Sequence, residues 1–271
     1  MNQTSPKISI VTPSYNQGQF IEMAIKSVLE QGYPNFEHII LDNCSTDETV
    51  AILEKYPHLV WQSKRDRGQS DALNQGFRLT TGNIIGWLNA DDQYLPGCFD
   101  RVARSFLNCP EADIVYGDYY WIDERGKIIQ SRKELDFDLF ILKYLHVLYI
   151  PSTSTFFRQK IFAEDNFLDT SLTYSMDYEF FLRLANQKYK FIHIDSYLAN
   201  FRWHKHNKSS VATKAQLEEK NSSLLRHDRF LQQLAPPALS LTRKFLELLA
   251  RAKRFLLKGF KGYYFKQWHA H

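Results

Sequence analysis

Ile84-Ile85-Gly86-Trp87-Leu88-Asn89-Ala90-Asp91-Asp92 decides the fold of this 271-residue chain. The apolar run reads as a buried strand, and it stops abruptly at two carboxylates. Ionised carboxylates are rarely buried unpaired, so the pair is expected to face solvent, a cation or a ligand. Hard oxygen donors at a strand end suit Mg2+ or Mn2+, which keep waters and take one or two carboxylates together with substrate phosphates. A solvated acidic loop is the plainer alternative for Asp-Asp by itself. Against it stands a second strand with the same ending, Phe36-Glu37-His38-Ile39-Ile40-Leu41, which stops at Asp42-Asn43-Cys44-Ser45-Thr46-Asp47.

A first strand, Ile8 to Thr12, runs into Pro13-Ser14-Tyr15-Asn16-Gln17-Gly18. Apolar positions at Phe20, Ile21, Ala24, Ile25, Val28 and Leu29 then predict a helix from about Phe20 to Gln31. Ser45 or Thr46 followed by Asp47 and Glu48 reads as a helix start, a capping hydroxyl before first-turn acids. The pattern continues with a helix over 49–55, a strand over 59–62, a helix over 71–80 and the strand 83–88. Strands alternating with helices give a parallel sheet with covering helices. Ligands of such sheets bind beyond the carboxyl ends of the strands, where all three polar clusters fall.

Four segments carry a resemblance: Val11-Thr12-Pro13-Ser14-Tyr15-Asn16, Leu41 to Asp47, Gly68-Gln69-Ser70-Asp71-Ala72-Leu73-Asn74-Gln75-Gly76, and Leu88 to Asp92. In order and spacing they are similar to the successive motifs of family 2 glycosyltransferases, over roughly Lys7 to Ser210. The resemblance implies a GT-A fold, an α/β Rossmann-like architecture with a mostly parallel sheet and helices on both faces. It implies inverting transfer from a nucleotide-diphosphate sugar, a UDP-sugar foremost, to a glycan or lipid-linked acceptor in surface polysaccharide synthesis. Donor contacts would fall on Pro13, Tyr15, Asn16, Asp42, Asp66, Arg67, Asp71, Asn89, Asp91 and Arg202. A divalent cation, Mn2+ or Mg2+, would sit on Asp91, Asp92 and His204. One departure bears on this: Asn89 stands where the family's Asp-X-Asp element has its first acid. An amide still offers an oxygen but removes a charge. A catalytically inactive nucleotide-sugar-binding subunit is therefore the rival reading.

Beyond Asp92, Tyr94-Leu95-Pro96-Gly97 predicts a turn, followed by a helix from Cys98 to Leu107 and a strand from Asp113 to Asp118. A hairpin turns at Glu124-Arg125-Gly126, and Ile150 to Arg158 reads as a polar-to-aromatic strand. Tyr174 to Ala185 predicts a helix with Asp177 near its positive end, where a carboxylate stays ionised and can accept a proton. An ordinary helix cap is the alternative; the resemblance makes Asp177 the catalytic base. Met176 stands where an acid often precedes that base. Glu179, on a different helix face, is expected to be a solvated acid. After the strand Phe191 to Asp195, Arg202, His204, Ser209 and Ser210 resemble a recurrent family element. There Arg202 would neutralise diphosphate, and His204 would meet metal or phosphate.

Composition sets bounds. With 44% hydrophobic and 15% aromatic residues the chain can bury a sizeable core. No run approaches the ~20 apolar residues of a membrane span, since Phe137 to Ile150 is broken by Asp138, Lys143 and His146. The polar amino terminus does not read as a signal peptide. Three unpatterned cysteines suggest reduced thiols in a cytoplasmic protein. No G-x-G-x-x-G or G-x-x-x-x-G-K-[ST] is present, which disfavours dinucleotide and P-loop chemistry. No nucleic-acid module is recognised.

The last quarter differs. Ser240 to His271 holds eight Lys/Arg and one acid, a balance of +7 within a chain of +4, leaving the remainder at −3. Residues 1–210 thus read as a catalytic domain and 211–271 as a basic helical extension. On a helical wheel Leu241, Phe245, Leu248, Ala252, Phe255 and Leu256 share one face, and Arg243, Lys244, Arg251, Arg254 and Lys258 the other. With Gly259 to Trp268 behind it, such a helix suits peripheral contact with an anionic membrane. The competing expectation is an apolar stripe packed on the catalytic domain with the basic face solvated.

Overall fold

Ile8 and Ile10 of β1 (Ile8–Ser14) pack on one side of the sheet and Val11 on the other. That is the period-2 alternation of a strand covered on both faces. The computed structural model describes residues 5–145, 147–205, 207, 208 and 213–263. After β1 come α1 (Gly18–Leu29), β2 (Phe36–Asp42), α2 (Thr49–Leu53), β3 (Leu59–Ser63), α3 (Gln69–Leu79) and β4 (Ile84–Trp87). These strands pair in parallel in the order β3-β2-β1-β4. The loops after β1, β2 and β4 therefore share one edge. Gly76 lets α3 lie close on the sheet, since a Cβ there would overlap Val11 and Leu41.

The chain continues through β5 (Gln93–Tyr94), α4 (Cys98–Asn108), β6 (Ile114–Ile122), β7 (Ile128–Arg132) and α5 (Leu139–Tyr144). Then follow β8 (Thr155–Arg158), α6 (Lys160–Ala163), α7 (Met176–Asn186), β9 (Phe191–Arg202), α8 (Thr213–His227), α9 (Arg229–Gln232) and α10 (Pro236–Phe260). The sheet runs on from β4 as β8-β6-β9-β5, with β7 hairpinned onto β6. In this half β8 is antiparallel to both neighbours while β6 and β9 are parallel, so the purely parallel part is the amino-terminal one. The architecture is mixed α/β, as expected, with α3 and α7 over one face and α1 and α4 over the other.

Two of the boundaries that differ from expectation bear on the site. β8 begins at Thr155, because Pro151 offers no N–H to the ladder and Ser152–Ser154 form a 3₁₀ turn instead. β9 runs on past Asp195 to Arg202, with a register shift opposite Gly117 and Asp118. Both differences matter to the site, since that turn and the end of β9 hold the Asp91-Asp92 loop.

No described helix is long and apolar enough to cross a membrane. Leu224, Leu231 and Ala250, from α8, α9 and α10, join the same buried cluster as Val11 and Trp87. The helix α10 overturns the expectation of a packed apolar stripe with a solvated basic face. Ala250 is buried, Leu246 and Leu257 are partly so, and the cations beside them turn inward. Arg254 and Lys258 reach the fully buried Glu134 at 2.9 and 3.3 Å, and Lys261 meets Asp136 at 2.9 Å. Lys253 also pairs with Asp138. The stripe of Leu241, Phe245, Leu248, Phe255 and Leu256 faces solvent instead, each 56–71% exposed. A buried carboxylate without a counter-charge is costly, so Glu134 selects which side of α10 docks. Tyr264 to Trp268 lie outside the described residues.

Candidate active site

The loops after β1 and β2 are tied to each other before either can meet a ligand. Asn16 and Cys44 both adopt positive φ, at 51°. Asn16 N–H donates to Ser45 Oγ at 2.7 Å, and its Oδ1 accepts from Thr46 N–H at 2.9 Å. Asp42, buried at the end of β2, accepts from Ser45 N–H at 2.9 Å and from the Ser63 hydroxyl at 2.6 Å. These contacts shape one cleft of about 370 Å³ along the carboxyl ends of the strands. Of the expected site residues Pro13, Tyr15, Asp66, Asn89, Asp91, Asp177 and His204 line it. Asn16, Asp42, Arg67, Asp71, Asp92 and Arg202 stand outside that lining. Arg67 is largely exposed and bonds Asp71 at 3.0 Å, four residues on in the first turn of α3.

The two neighbouring acids part company. Asp91 turns into the cleft, where His204 Nε2 lies 2.9 Å from its Oδ2 and the imidazole stacks on Phe20. Asp92 turns into the protein, against the expectation that both carboxylates face a cation or solvent. Its carboxylate accepts from the Thr153 hydroxyl at 2.6 Å, the Arg202 N–H at 2.9 Å and Asn89 Nδ2 at 3.1 Å. Burial, with the Asp91 carboxylate beside it, pushes the Asp92 carboxyl well above the usual range, while those donors pull it back. Asn89 is thereby explained: its NH2 donates to Asp92, which a carboxylate cannot do, and its oxygen accepts from Gln69 and Trp87 at 2.9 and 2.8 Å.

Arg202 likewise leaves its expected place at the diphosphate. Its guanidinium is buried and donates to the carbonyls of Asp91, Asp123 and Glu124 and to Gln93 Oε1, at 2.9–3.0 Å. It staples the Asp91 loop to the β6–β7 hairpin. The cation that does line the cleft is Lys208, four residues beyond His204. Asp91 and His204 supply one oxygen and one nitrogen donor beside open volume, a set that suits Mn2+ or Mg2+ when phosphate and water complete the shell. Among the described residues no group of three or more His, Cys, Asp or Glu is gathered as a metal cage.

Asp177 sits in the first turn of α7 and accepts the N–H of Tyr178 at 2.8 Å. Burial pushes its carboxyl upward, opposed by that N–H and by the Lys220 ammonium. Burial in turn lowers Lys220 to about 8, opposed by Asp177. The segment leading into α7 is held by Glu219, which accepts from the N–H groups of Thr173, Tyr174 and Ser175 at 3.0, 2.8 and 2.9 Å. Both Glu219 and Lys220 come from α8, and no sequence signal singled them out. Glu179 is not solvated as expected: it is buried and bonded to Arg183 and His227, each at 2.9 Å. Ser209 and Ser210 lie outside the described residues.

Comparison with known proteins meets this geometry. The family model described as glycosyl transferase family 2 matches residues 9–165. An uncharacterized glycosyltransferase of Rickettsia typhi is 31% identical over 202 residues, covering 68% of this chain and 61% of its own. The putative teichuronic acid biosynthesis glycosyltransferase TuaG of Bacillus subtilis is 36% identical over 100 residues, 35% of this chain and 39% of its own. The chain thus spans about three fifths of the length of the relatives from Rickettsia typhi and Rickettsia prowazekii. Among solved structures, S. aureus TarS 1–349 in complex with UDP-GlcNAc superposes with a TM-score of 0.60 at 17% identity, over 90% of this chain and 79% of that one. The mannosyltransferase PcManGT from Pyrobaculum calidifontis, in complex with GDP-Man and Mn2+, gives 0.56 at 17%, over 94% and 85%. At such identity the structures speak for the fold, which is GT-A. The chain belongs to glycosyl transferase family 2.

Proposed function

We propose that the protein transfers a sugar from a nucleotide-diphosphate sugar, a UDP-sugar foremost, to a hydroxyl of a glycan or lipid-linked acceptor during surface polysaccharide assembly. The observation that carries the reading is the cleft itself, where Asp91 with His204 and the carboxylate of Asp177 line one volume. Pro13 and Tyr15 would flank the nucleotide, with Asn43 and Asp66 offering polar groups to base and ribose. Lys208 takes the diphosphate-neutralising part first expected of Arg202. A divalent cation on Asp91 and His204, when bound, supplies Lewis-acid stabilisation to the leaving diphosphate.

Asp177 accepts the proton of the acceptor hydroxyl as its oxygen attacks the anomeric carbon. The bond from that carbon to the diphosphate oxygen breaks on the opposite face, so configuration inverts. The Tyr178 N–H and Lys220 favour the ionised form of Asp177 against the burial that raises its carboxyl, and Glu219 keeps the first turn of α7 in position. The donor TarS carries in its solved complex is UDP-GlcNAc and that of PcManGT is GDP-Man, which motivates testing both bases. A charged nucleotide does not cross a bilayer, so the reading assigns the reaction to the cytoplasmic side, with peripheral contact to the inner face of the membrane.

Melting curves of the purified protein with UDP, GDP and their sugars, each with and without Mn2+, test the donor site, since ligand binding raises apparent stability. Slow hydrolysis of the sugar nucleotide by the same sample separates an enzyme from an inactive binding subunit. If no nucleoside diphosphate shifts the midpoint in the presence of Mn2+, the donor reading fails.

A further inference from the structure

The outward side of α10 is the feature that transfer chemistry leaves unused. Leu241, Phe245, Leu248, Phe255, Leu256 and Phe260 are 56–87% exposed and fall within one arc of the helix. Single surface hydrophobics need no explanation, but a contiguous stripe of large ones marks an interaction surface. At 100° per residue the exposed Lys244 and Arg251, the latter paired with Glu247, flank one margin of the arc, and Lys253, paired with Asp138, flanks the other. A second feature borders it. A cavity of about 360 Å³ opens between α5, α8 and α10, with Lys143, Lys220, Arg243 and Lys244 in its wall and Glu247 as the one carboxylate among its lining residues. Lys244 belongs to both features.

We propose that this side of α10 seats the protein on an anionic phospholipid bilayer, with the apolar arc at the headgroup boundary and the basic cavity holding a lipid phosphate. Apolar surface rimmed by cations beside a basic pocket is the chemistry an anionic membrane surface recognises. A second copy fits less well. A two-fold contact through the arc sets the same patch on both copies, so its marginal cations face like charges. The inference names the surface for the peripheral contact in the reading above. It is measured without donor or acceptor, so its failure leaves the transfer reaction standing, and the reverse also holds.

The full chain is sedimented with vesicles of phosphatidylcholine, alone or mixed with phosphatidylglycerol. Binding to the mixed vesicles is expected to be at least about tenfold tighter and to weaken as salt rises. Leu248→Asp combined with Phe245→Asp should abolish binding while the melting midpoint stays in place, since both side chains are exposed. Lys244→Glu should reduce the preference for anionic vesicles. The proposal is overturned if the wild-type chain ignores both vesicles or if the double variant binds like wild type. It is equally overturned if sedimentation velocity finds a dimer that the double variant dissociates while vesicles are not bound, which assigns the arc to a second copy.

Discussion

The β1–β4 half and α10 solve the same packing problem by different means. In the first, apolar side chains have one destination, the space between a parallel sheet and its helices, and Val11, Ile39 and Trp87 fill it. The long helix α10 has apolar residues around most of its circumference and can bury only part of them. There a charge decides. Glu134, fully buried, takes Arg254 and Lys258 as partners, and the stretch of Asp136 and Asp138 takes Lys261 and Lys253. Hydrophobic burial is non-directional, whereas an unpaired buried charge is expensive enough to orient an element. The cleft repeats the lesson on a smaller scale, because Asp91 and Asp92, adjacent in sequence, are divided by who can satisfy them.

Four experiments sharpen or break that comparison, from the largest effect downward. The first concerns Asp177, the one cleft acid assigned a proton. Asp177→Asn keeps size and the bond from Tyr178 N–H but removes proton acceptance, so turnover should fall by roughly 10²–10⁴-fold. Nucleotide affinity, read from the melting shift with UDP or GDP, should persist. Normal turnover in this variant would reduce Asp177 to a helix-terminal residue.

The second opposes the two neighbouring acids. EDTA should abolish transfer and Mn2+ should restore it. Asp91→Asn should lose the Mn2+-dependent part of the nucleotide melting shift while the melting point of the free protein stays unchanged. Asp92→Asn should instead destabilise the protein, by about 1–3 kcal/mol, because the amide keeps one acceptor oxygen for three buried donors and sets its NH2 against the rest. Equal behaviour of the two variants would contradict the division of roles between them.

The third opposes the two sides of α10. Breaking a buried ion pair by removing one partner costs about 3–5 kcal/mol. Lys258 remains on Glu134 when Arg254 is lost, so Arg254→Ala should cost less, about 1–3 kcal/mol. Leu248→Ala, on the outward side, should leave the unfolding midpoint in place. A larger loss from Leu248→Ala than from Arg254→Ala would invert the orientation of the helix.

The fourth and smallest concerns Lys220. A base acts only when deprotonated, so activity should climb as pH rises through the raised pKa of Asp177. The Lys220 ammonium favours the charged carboxylate, and Lys220→Met removes it. The acid limb of the kcat/KM profile should therefore move to higher pH, with the plateau reduced less than tenfold. An unmoved limb would mean that Lys220 supports α7 without influencing its acid.

Much of the fold was legible because local pattern and tertiary role agree from β1 to β4. Period-2 apolar strands, 3.6-period helices and the polar clusters after each strand all point to one crevice, and Pro13, Tyr15, Asp66, Asn89, Asp91, Asp177 and His204 line it. The β8 start was not legible, since the hydroxyls of Thr153 and Ser154 serve partners distant in sequence, Asp92 and Gly117.

The sequence by itself determined the order of elements from β1 to β4 and which residue types follow each strand, because these follow from local periodicity, and its four motif segments carried the resemblance to the family. Only the tertiary structure decided that Asp92 and Arg202 face inward, that Glu219 and Lys220 reach the segment bearing Asp177, and that α10 docks by its charged side. Each of these depends on which polar group meets which partner across a long separation in the chain. A buried charge or hydrogen-bonding group must be satisfied wherever the fold brings it, and one-dimensional spacing carries no record of that partner.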